Sequence, residues 1–498
     1  MKTPRKFLNA VLVVAAVAWT LPPAASAQDP STTTQEPAQQ EPEAQPQPAQ
    51  PAQPQAAPKP AGRQYGTLSD DEAESSNAQQ LTPDAAPLTG ALIPGVGSPE
   101  MRHSYWVPGF QYGNFIRSSK ELQPFVTDWN TTNFIAGNLS LLQSWSHSQF
   151  ALNYSGGGSF STDEFIGNSA YQQLSAVQNF VWRKAQLSII DQFSYLPETQ
   201  FGFGSNSSLV SAGVGGAFAP TFAGLQPTYQ PNQTIFAALG SRYSNSITTQ
   251  LEEKVSTRSA ISLTASYGLL HFVEPGNIDS NDVILSGGYD YALTKNDSIG
   301  VLYRYSAYQY PGNPQAIHDH TAELAYGRKI TGRLALQLFV GPELTDFRIH
   351  QDGFNDRTSI TGGGNVTYSL PRTNIFVSYN HGVSGGSGAF TGSNSDTVQG
   401  TVNRQVTRVW RANVNSGYAR NNTLASGNAA LLSLTFNTYY VGAGVERPLG
   451  RNADLTLGYT AYVQDTSQSR CTTDTCRNYV QHQVSMSFQW HAQPFVLR

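Results

Sequence analysis

Between Asp282 and Leu344 the apolar residues fall on every second position. Val283, Leu285, Tyr289, Tyr291 and Leu293 share one parity, while Ser286, Gly288, Asp290 and Ala292 share the other. That period of two predicts a strand whose faces meet unlike surroundings. The next segment repeats it, with Ile299, Val301, Tyr303 and Tyr305 set against Ser298, Gly300 and Arg304. Lys295-Asn296-Asp297 links the first pair of segments and Thr331-Gly332-Arg333 the following pair, so each unit reads as a hairpin.

The same alternation runs along the chain from about residue 102. Tight polar links are expected near Ser146, Lys184, Thr257, Asn296, Gly332, Arg372, Arg408 and Gly450, and longer loops near Thr162, Thr199, Pro275, Pro311, His350, Gly388, Asn422 and Thr472. An aromatic segment from Tyr105 to Arg117 supplies the first strand. Both ends of a single-chain bacterial barrel normally lie on the same side, which requires an even strand number. The expectation is an all-β, antiparallel up-and-down transmembrane barrel over residues 102–498 with eighteen strands; sixteen and twenty are the alternatives. Several tight links carry a similar phrase, YALTKNDSI, YGRKITGRL, YSLPRTNIF and VERPLGRNADL. Hairpin duplication and a shared girdle-plus-turn chemistry both account for it.

Ahead of the barrel the composition changes. Lys2, Arg5 and Lys6 precede an apolar run from Phe7 to Leu21, and Ala25-Ser26-Ala27 fits the small-x-small cleavage rule, so residues 1–27 read as an export signal. Residues 28–63 are rich in Pro, Gln and Ala, cannot bury enough surface to offset their ordering entropy, and are expected to form a disordered periplasmic arm. That arm is either a passive linker or a tether reaching a periplasmic partner, at about 3 Å per residue where it is polyproline-like. Residues 64–101 read as an irregular linker. Nothing beyond the signal is a continuous apolar run long enough for a membrane helix, which needs about eighteen residues. Thirty basic residues stand against thirty-four acidic ones, which gives no reason to expect nucleic acid as a partner.

The last strand, Tyr479 to Trp490, sets Val480, His482, Val484, Met486, Phe488 and Trp490 against Gln481, Gln483, Ser485, Ser487 and Gln489. It resembles the closing strand of bacterial outer-membrane proteins, although HAQPFVLR follows Trp490 where those chains end on the aromatic residue. Over about four fifths of its length the chain resembles porin-like outer-membrane barrels. The resemblance implies the outer membrane of a Gram-negative-type bacterium, contact with its lipid, and insertion by the barrel assembly machinery. It implies a channel for passive passage of small polar solutes, or for export of a secreted polymer. The alternative is a plugged structural or binding barrel acting through its extracellular loops or periplasmic arm.

If the apolar face meets lipid, parity turns Glu252, Asp290, Arg304, Glu323, Glu343 and Arg411 inward. A basic residue at mid-membrane on the lipid face would cost about 2–4 kcal/mol, so these are the candidate lumen-lining residues. Such charges either shape ion selectivity or pair with one another to brace the wall. Asp191 shares parity with Leu187, Ile189, Phe193 and Tyr195 and should face lipid unless a bulge shifts the register. The connection from about Glu198 to Gly240 mixes small and aromatic residues; an inward plug, a surface lid and an extra hairpin are its three readings. Cys471 and Cys476 flank Thr-Thr-Asp-Thr and are expected to form a disulfide in an exported protein. The loop phrase Ile317-His318-Asp319-His320 is the sole histidine cluster, and it lacks the further ligands a metal needs. No nucleophile elbow, phosphate loop or zinc-binding helix motif is present, so no cofactor and no enzymatic role are expected.

Overall fold

The structure, a computed structural model of the chain, describes residues 104–121, 127–162, 168–196, 241–273, 277–350, 354–386, 391–424, 435–466 and 478–497. The export signal, the arm, the linker, the 198–240 connection and both cysteines lie outside these residues. Nineteen strands are formed: β1 Ser104–Glu121, β2 Thr127–Ser144, β3 Ser148–Ser161, β4 Asn168–Val181, β5 Ala185–Leu196, β6 Arg242–Lys254, β7 Ser259–Phe272, β8 Ser280–Ala292, β9 Asp297–Gln309, β10 Ala316–Lys329, β11 Leu334–Phe347, β12 Arg357–Leu370, β13 Thr373–Gly386, β14 Thr391–Gln405, β15 Arg411–Thr423, β16 Thr435–Pro448, β17 Ala453–Thr466, β18 Tyr479–His491 and the short β19 Phe495–Leu497.

Each strand from β1 to β17 pairs antiparallel with the next, and β1 pairs with β18 from Gly109↔His491 to Glu121↔Tyr479. The sheet therefore closes on itself: the fold is a porin-like transmembrane barrel of eighteen strands, of the bacterial outer-membrane kind. Closure leaves neither β1 nor β18 as an open sheet edge, which is what hydrocarbon demands. The residues after Trp490 have a role in it. β19 pairs with Ser104–Trp106 at the start of β1, so the eighteen-residue β1 keeps a partner where β18 has ended, and Trp106 stacks on Phe495 at 4.8 Å.

The eight links on one side are each two to five residues long and contain all eight expected tight turns; the longer connections lie on the other side. The expected loop at Asn422 starts slightly later, after Thr423. Side-chain hydroxyls build several short links. Thr294 Oγ1 accepts the amides of Asn296 and Asp297, Thr331 Oγ1 those of Arg333 and Leu334, and Thr407 Oγ1 those of Val409 and Trp410. A threonine that can cap the backbone two and three residues ahead is a local turn former, and this explains part of the repeated phrase by shared chemistry.

The two faces differ as alternation predicts. Ile247, Leu263, Leu285, Val301, Leu338 and Val377 are exposed on the outside, while Gln250, Thr264, Ser286, Gln337 and Ser378 are buried on the inside. Aromatic residues ring the outer face near both rims, with Phe180 against Trp182 towards the short links and Tyr195 against Tyr243 towards the long loops. Such girdles mark the two membrane interfaces.

Candidate functional site: the inner wall and an inturned hairpin

Asp290, Arg304, Glu323 and Glu343 are all buried on the inner face. Glu252 shares the parity of buried Gln250 on β6, and Arg411 that of buried Asn415 on β15. These six do not gather at one point. Arg304 lies 3.6 Å from Glu323 on the neighbouring strand, and Arg411 lies 3.8 Å from Glu446. Both contacts join adjacent strands, a geometry that braces the wall.

Several inner-wall charges escaped the sequence reading. Asp282 and Asp319 are almost fully buried on the same face, and Asp319 Oδ1 accepts the Thr345 hydroxyl at 3.0 Å. The histidine phrase proves to lie in strand β10 and not in a loop, and alternation divides it: Asp319 turns inward while His318 and His320 turn outward. The histidines meet Tyr305 and Tyr303, each with Nδ1 at 2.8 Å from a phenol oxygen. Residues on opposite faces of one strand cannot share an ion. His482 is likewise outward, bonded to the Tyr459 hydroxyl at 2.9 Å.

The most distinctive feature of the inner wall is one the alternation did not reveal. β12 and β13 pair from Leu370↔Thr373 to Gly362↔His381 and there stop. Beyond that point β12 stays on β11 up to Thr345↔Arg357, and β13 stays on β14 up to Gly386↔Thr391. The end of β13 has left β12, while β14 keeps β15 as far as Ser393↔Thr423, and the contacts that replace β12 come from inward-facing groups and one loop. Glu343, two strands away, accepts the Val383 amide at 2.9 Å and the Ser359 hydroxyl at 2.8 Å. Thr361 donates to the His381 carbonyl at 2.7 Å. Tyr310, from the β9–β10 loop, donates to the Gly385 carbonyl at 2.8 Å. The hairpin end is folded into the barrel over the interior of β9 to β12.

An apolar cluster seals this contact. Tyr308, Tyr310, Ile317, Phe347 and Leu424 are buried together, with Ile278, Phe354 and Val383 against them. Gly392 makes the approach possible. Its φ is +70°, and a β-carbon there would strike the end of Ile317, so both its backbone and its lack of side chain are required. Next to Glu343, Pro342 has no amide to offer β10, and the β10–β11 pairing is interrupted between Thr321↔Glu343 and Leu324↔Val340. Burial holds the Tyr310 phenol well above its usual titration range, so the hydroxyl remains a donor.

No protein-family profile and no curated protein matches this sequence. Among solved structures, similar chains are OpdQ of Pseudomonas aeruginosa (12% identity, 78% of this chain and 99% of that one, TM-score 0.41) and the P. aeruginosa outer membrane protein OpdK (10% identity, 78% and 99%, TM-score 0.40). OccK2 (OpdF) of the same organism gives 8% identity, 78% and 98%, and a TM-score of 0.41. With scores this low, the barrel assignment stands on its own strand pairing.

Proposed function

We propose that the protein is a passive, porin-like channel that lets small polar solutes cross an outer membrane, with its Pro-rich arm (28–63) in the periplasm. The observation that carries this reading is a closed wall with an apolar outer face and a polar inner face. On β18 the inner positions are Gln481, Ser485, Ser487 and Gln489, and across β2 to β5 they include Asn138, Asn179 and Ser188. Such a surface suits water and neutral polar solutes in transit. On β6 to β12 the inner face instead carries Asp282, Asp290, Asp319, Glu323 and Glu343 against Arg242, Arg304 and Arg357, an acidic balance that favours cations over anions. The inturned β13–β14 hairpin narrows the path beside Glu343, whose carboxylate accepts the Val383 amide, so sieving acts next to part of this charged wall.

The test is single-channel conductance of the refolded protein in a planar bilayer, with and without residues 199–232. Steady ohmic current, and a reversal potential under a salt gradient displaced towards the cation, is the expected result. Silence of both forms, in protein shown to be folded and inserted, would overturn the channel and favour a plugged structural barrel. Current only after deletion would identify the connection as a plug.

A further inference from the structure

The short-link end of the wall carries an uneven charge. From the β12–β13 link to the β16–β17 link it gathers Arg372, Arg404, Arg408, Arg447 and Arg451, each in a short link or one residue inside the strand that leads to it. All five are exposed. Register keeps them side by side at this end. The Gln405 amide donates to the Arg372 carbonyl at 2.9 Å, Arg404 stands opposite Thr373 and Ala412, and Ala412 stands opposite Val445. Four strand spacings separate β13 from β17, about 19 Å of rim at about 4.8 Å each.

The acids of this stretch stand on the other face. Glu446 pairs with Arg411 at 3.8 Å, and Asp454 lies opposite Gln489, both on the inner wall. Arg404 shares the parity of Val398 and Arg447 that of Val445, so both point outward. Among the described residues, none of the five guanidinium groups has an acidic partner. Elsewhere on this rim the basic side chains come with outward acids: exposed Glu253 precedes Lys254, and Asp297 lies 3.6 Å from Arg328. Apolar side chains stand among the five arginines. Val406, Val409 and Leu449 are exposed at 53, 47 and 44%, and Arg447 lies over the Trp410 ring, 5.3 Å from its centroid. A merely solvated charge run has no use for bare aliphatic groups, whereas a membrane interface takes them into the acyl boundary and leaves the charges among the headgroups. The planar guanidinium fork matches phosphate oxygens two at a time, and stacking on Trp410 presets one such fork.

We propose that this arginine-rich rim binds the phosphates of anionic phospholipids in the leaflet that the short links enter, which in barrels of this kind is the periplasmic one. This goes beyond the channel reading and is independent of it, since a plugged barrel would carry the same rim. The test is native mass spectrometry of the folded full-length protein in mild-detergent micelles, titrated with dioleoyl phosphatidylglycerol and, in parallel, with dioleoyl phosphatidylcholine. Phosphatidylglycerol should be retained at concentrations where phosphatidylcholine leaves no adduct. Each basic residue near an anionic headgroup contributes roughly 5-fold in affinity, so Arg404→Gln with Arg408→Gln should weaken phosphatidylglycerol binding roughly 25-fold. Arg348→Gln with Arg420→Gln, an equal loss of charge at the long-loop end, should leave it nearly unchanged, and heat-modifiable gel mobility shows each variant folded. Equal retention of the two lipids, or equal losses from the two pairs of substitutions, would overturn the proposal. So would displacement of phosphatidylglycerol by millimolar inorganic phosphate at constant ionic strength, which would assign the rim to soluble anions.

Discussion

The inturned β13–β14 hairpin is held by two side chains outside it, Tyr310 of the β9–β10 loop and Glu343 of β11. Tyr310→Phe removes the hydroxyl that reaches the Gly385 carbonyl, an ordinary hydrogen bond worth about 1 kcal/mol. Glu343→Ala removes the carboxylate that accepts the Val383 amide, and bonds to a charged group contribute about 1.5–3 kcal/mol. Both bonds hold one short run of backbone, so the two losses add only if the hairpin end leaves as a unit. On that basis the double variant weakens the latch by about 2.5–4 kcal/mol, and at about 1.4 kcal/mol per decade the released population rises roughly 50- to 1,000-fold. The expected reading in a planar bilayer is a larger or visibly fluctuating unitary conductance. Glu343→Gln keeps an acceptor oxygen but loses the charge, and should produce roughly half of the energetic effect. Gly392→Val, which drives a side chain into Ile317 and Leu424, should move the conductance in the same direction by a steric route. If the double variant is folded, inserted and identical to the parent in conductance and noise, the hairpin end does not lie in the permeation path and the reasoning fails.

Two other outcomes follow from the inner wall and the loops. Arg304→Met leaves Glu323 buried without the guanidinium 3.6 Å away and should destabilise the barrel by about 3–5 kcal/mol in urea unfolding from lipid vesicles, with Arg304→Met/Glu323→Leu regaining most of the loss; equal stability of the single variant and the parent would show that the lumen hydrates this pair. In the β11–β12 loop, Asp356 accepts the Phe347 amide and, at 2.9 Å, the His350 ring nitrogen, and these bonds hold its carboxyl below the usual range, the Phe347 amide most of all. A lowered folded value means the latch is complete above the unfolded pKa of about 3.9 and fails only as pH falls through the lower folded value, so amide protection at Phe347 should persist at pH 5; loss of protection already above pH 5 would refute control by the Asp356 carboxyl.

Much of this architecture is legible in the chain because alternation carries two facts at once. It marks each strand, and it says which residues share a face. The eight tight links and the closing strand at Tyr479 follow from that periodicity, and so do the inward positions of Glu343 and Arg304. Asp191 shows its limits. Parity places it towards lipid, a register shift would have rescued it, and only the unbroken pairing with Ala176 and Ile247 decides between them. The role of the residues after Trp490 was hidden for a different reason: β19 is defined by the unpaired start of β1, nearly four hundred residues away in sequence.

The inturned hairpin was hidden more completely. Alternation reports the face on which a side chain stands relative to its own strand, and it keeps its period whether that strand lies in the wall or leaves it. What turns the hairpin end inward is cross-strand chemistry: Glu343 on β11 satisfying an amide on β13, Tyr310 on the β9–β10 loop satisfying a carbonyl beside it, and Gly392 yielding space to Ile317. A local trace does exist. After Tyr379 the large outward residues cease, and beyond Asn380 the chain reads His-Gly-Val-Ser-Gly-Gly-Ser-Gly up to Gly388, a sequence with too little side chain to seal a membrane wall and enough backbone freedom to abandon it. A glycine-rich strand end facing a buried carboxylate two strands away is a physical reason to expect inward folding. The carboxylate's place in space, however, emerges only once the barrel has closed.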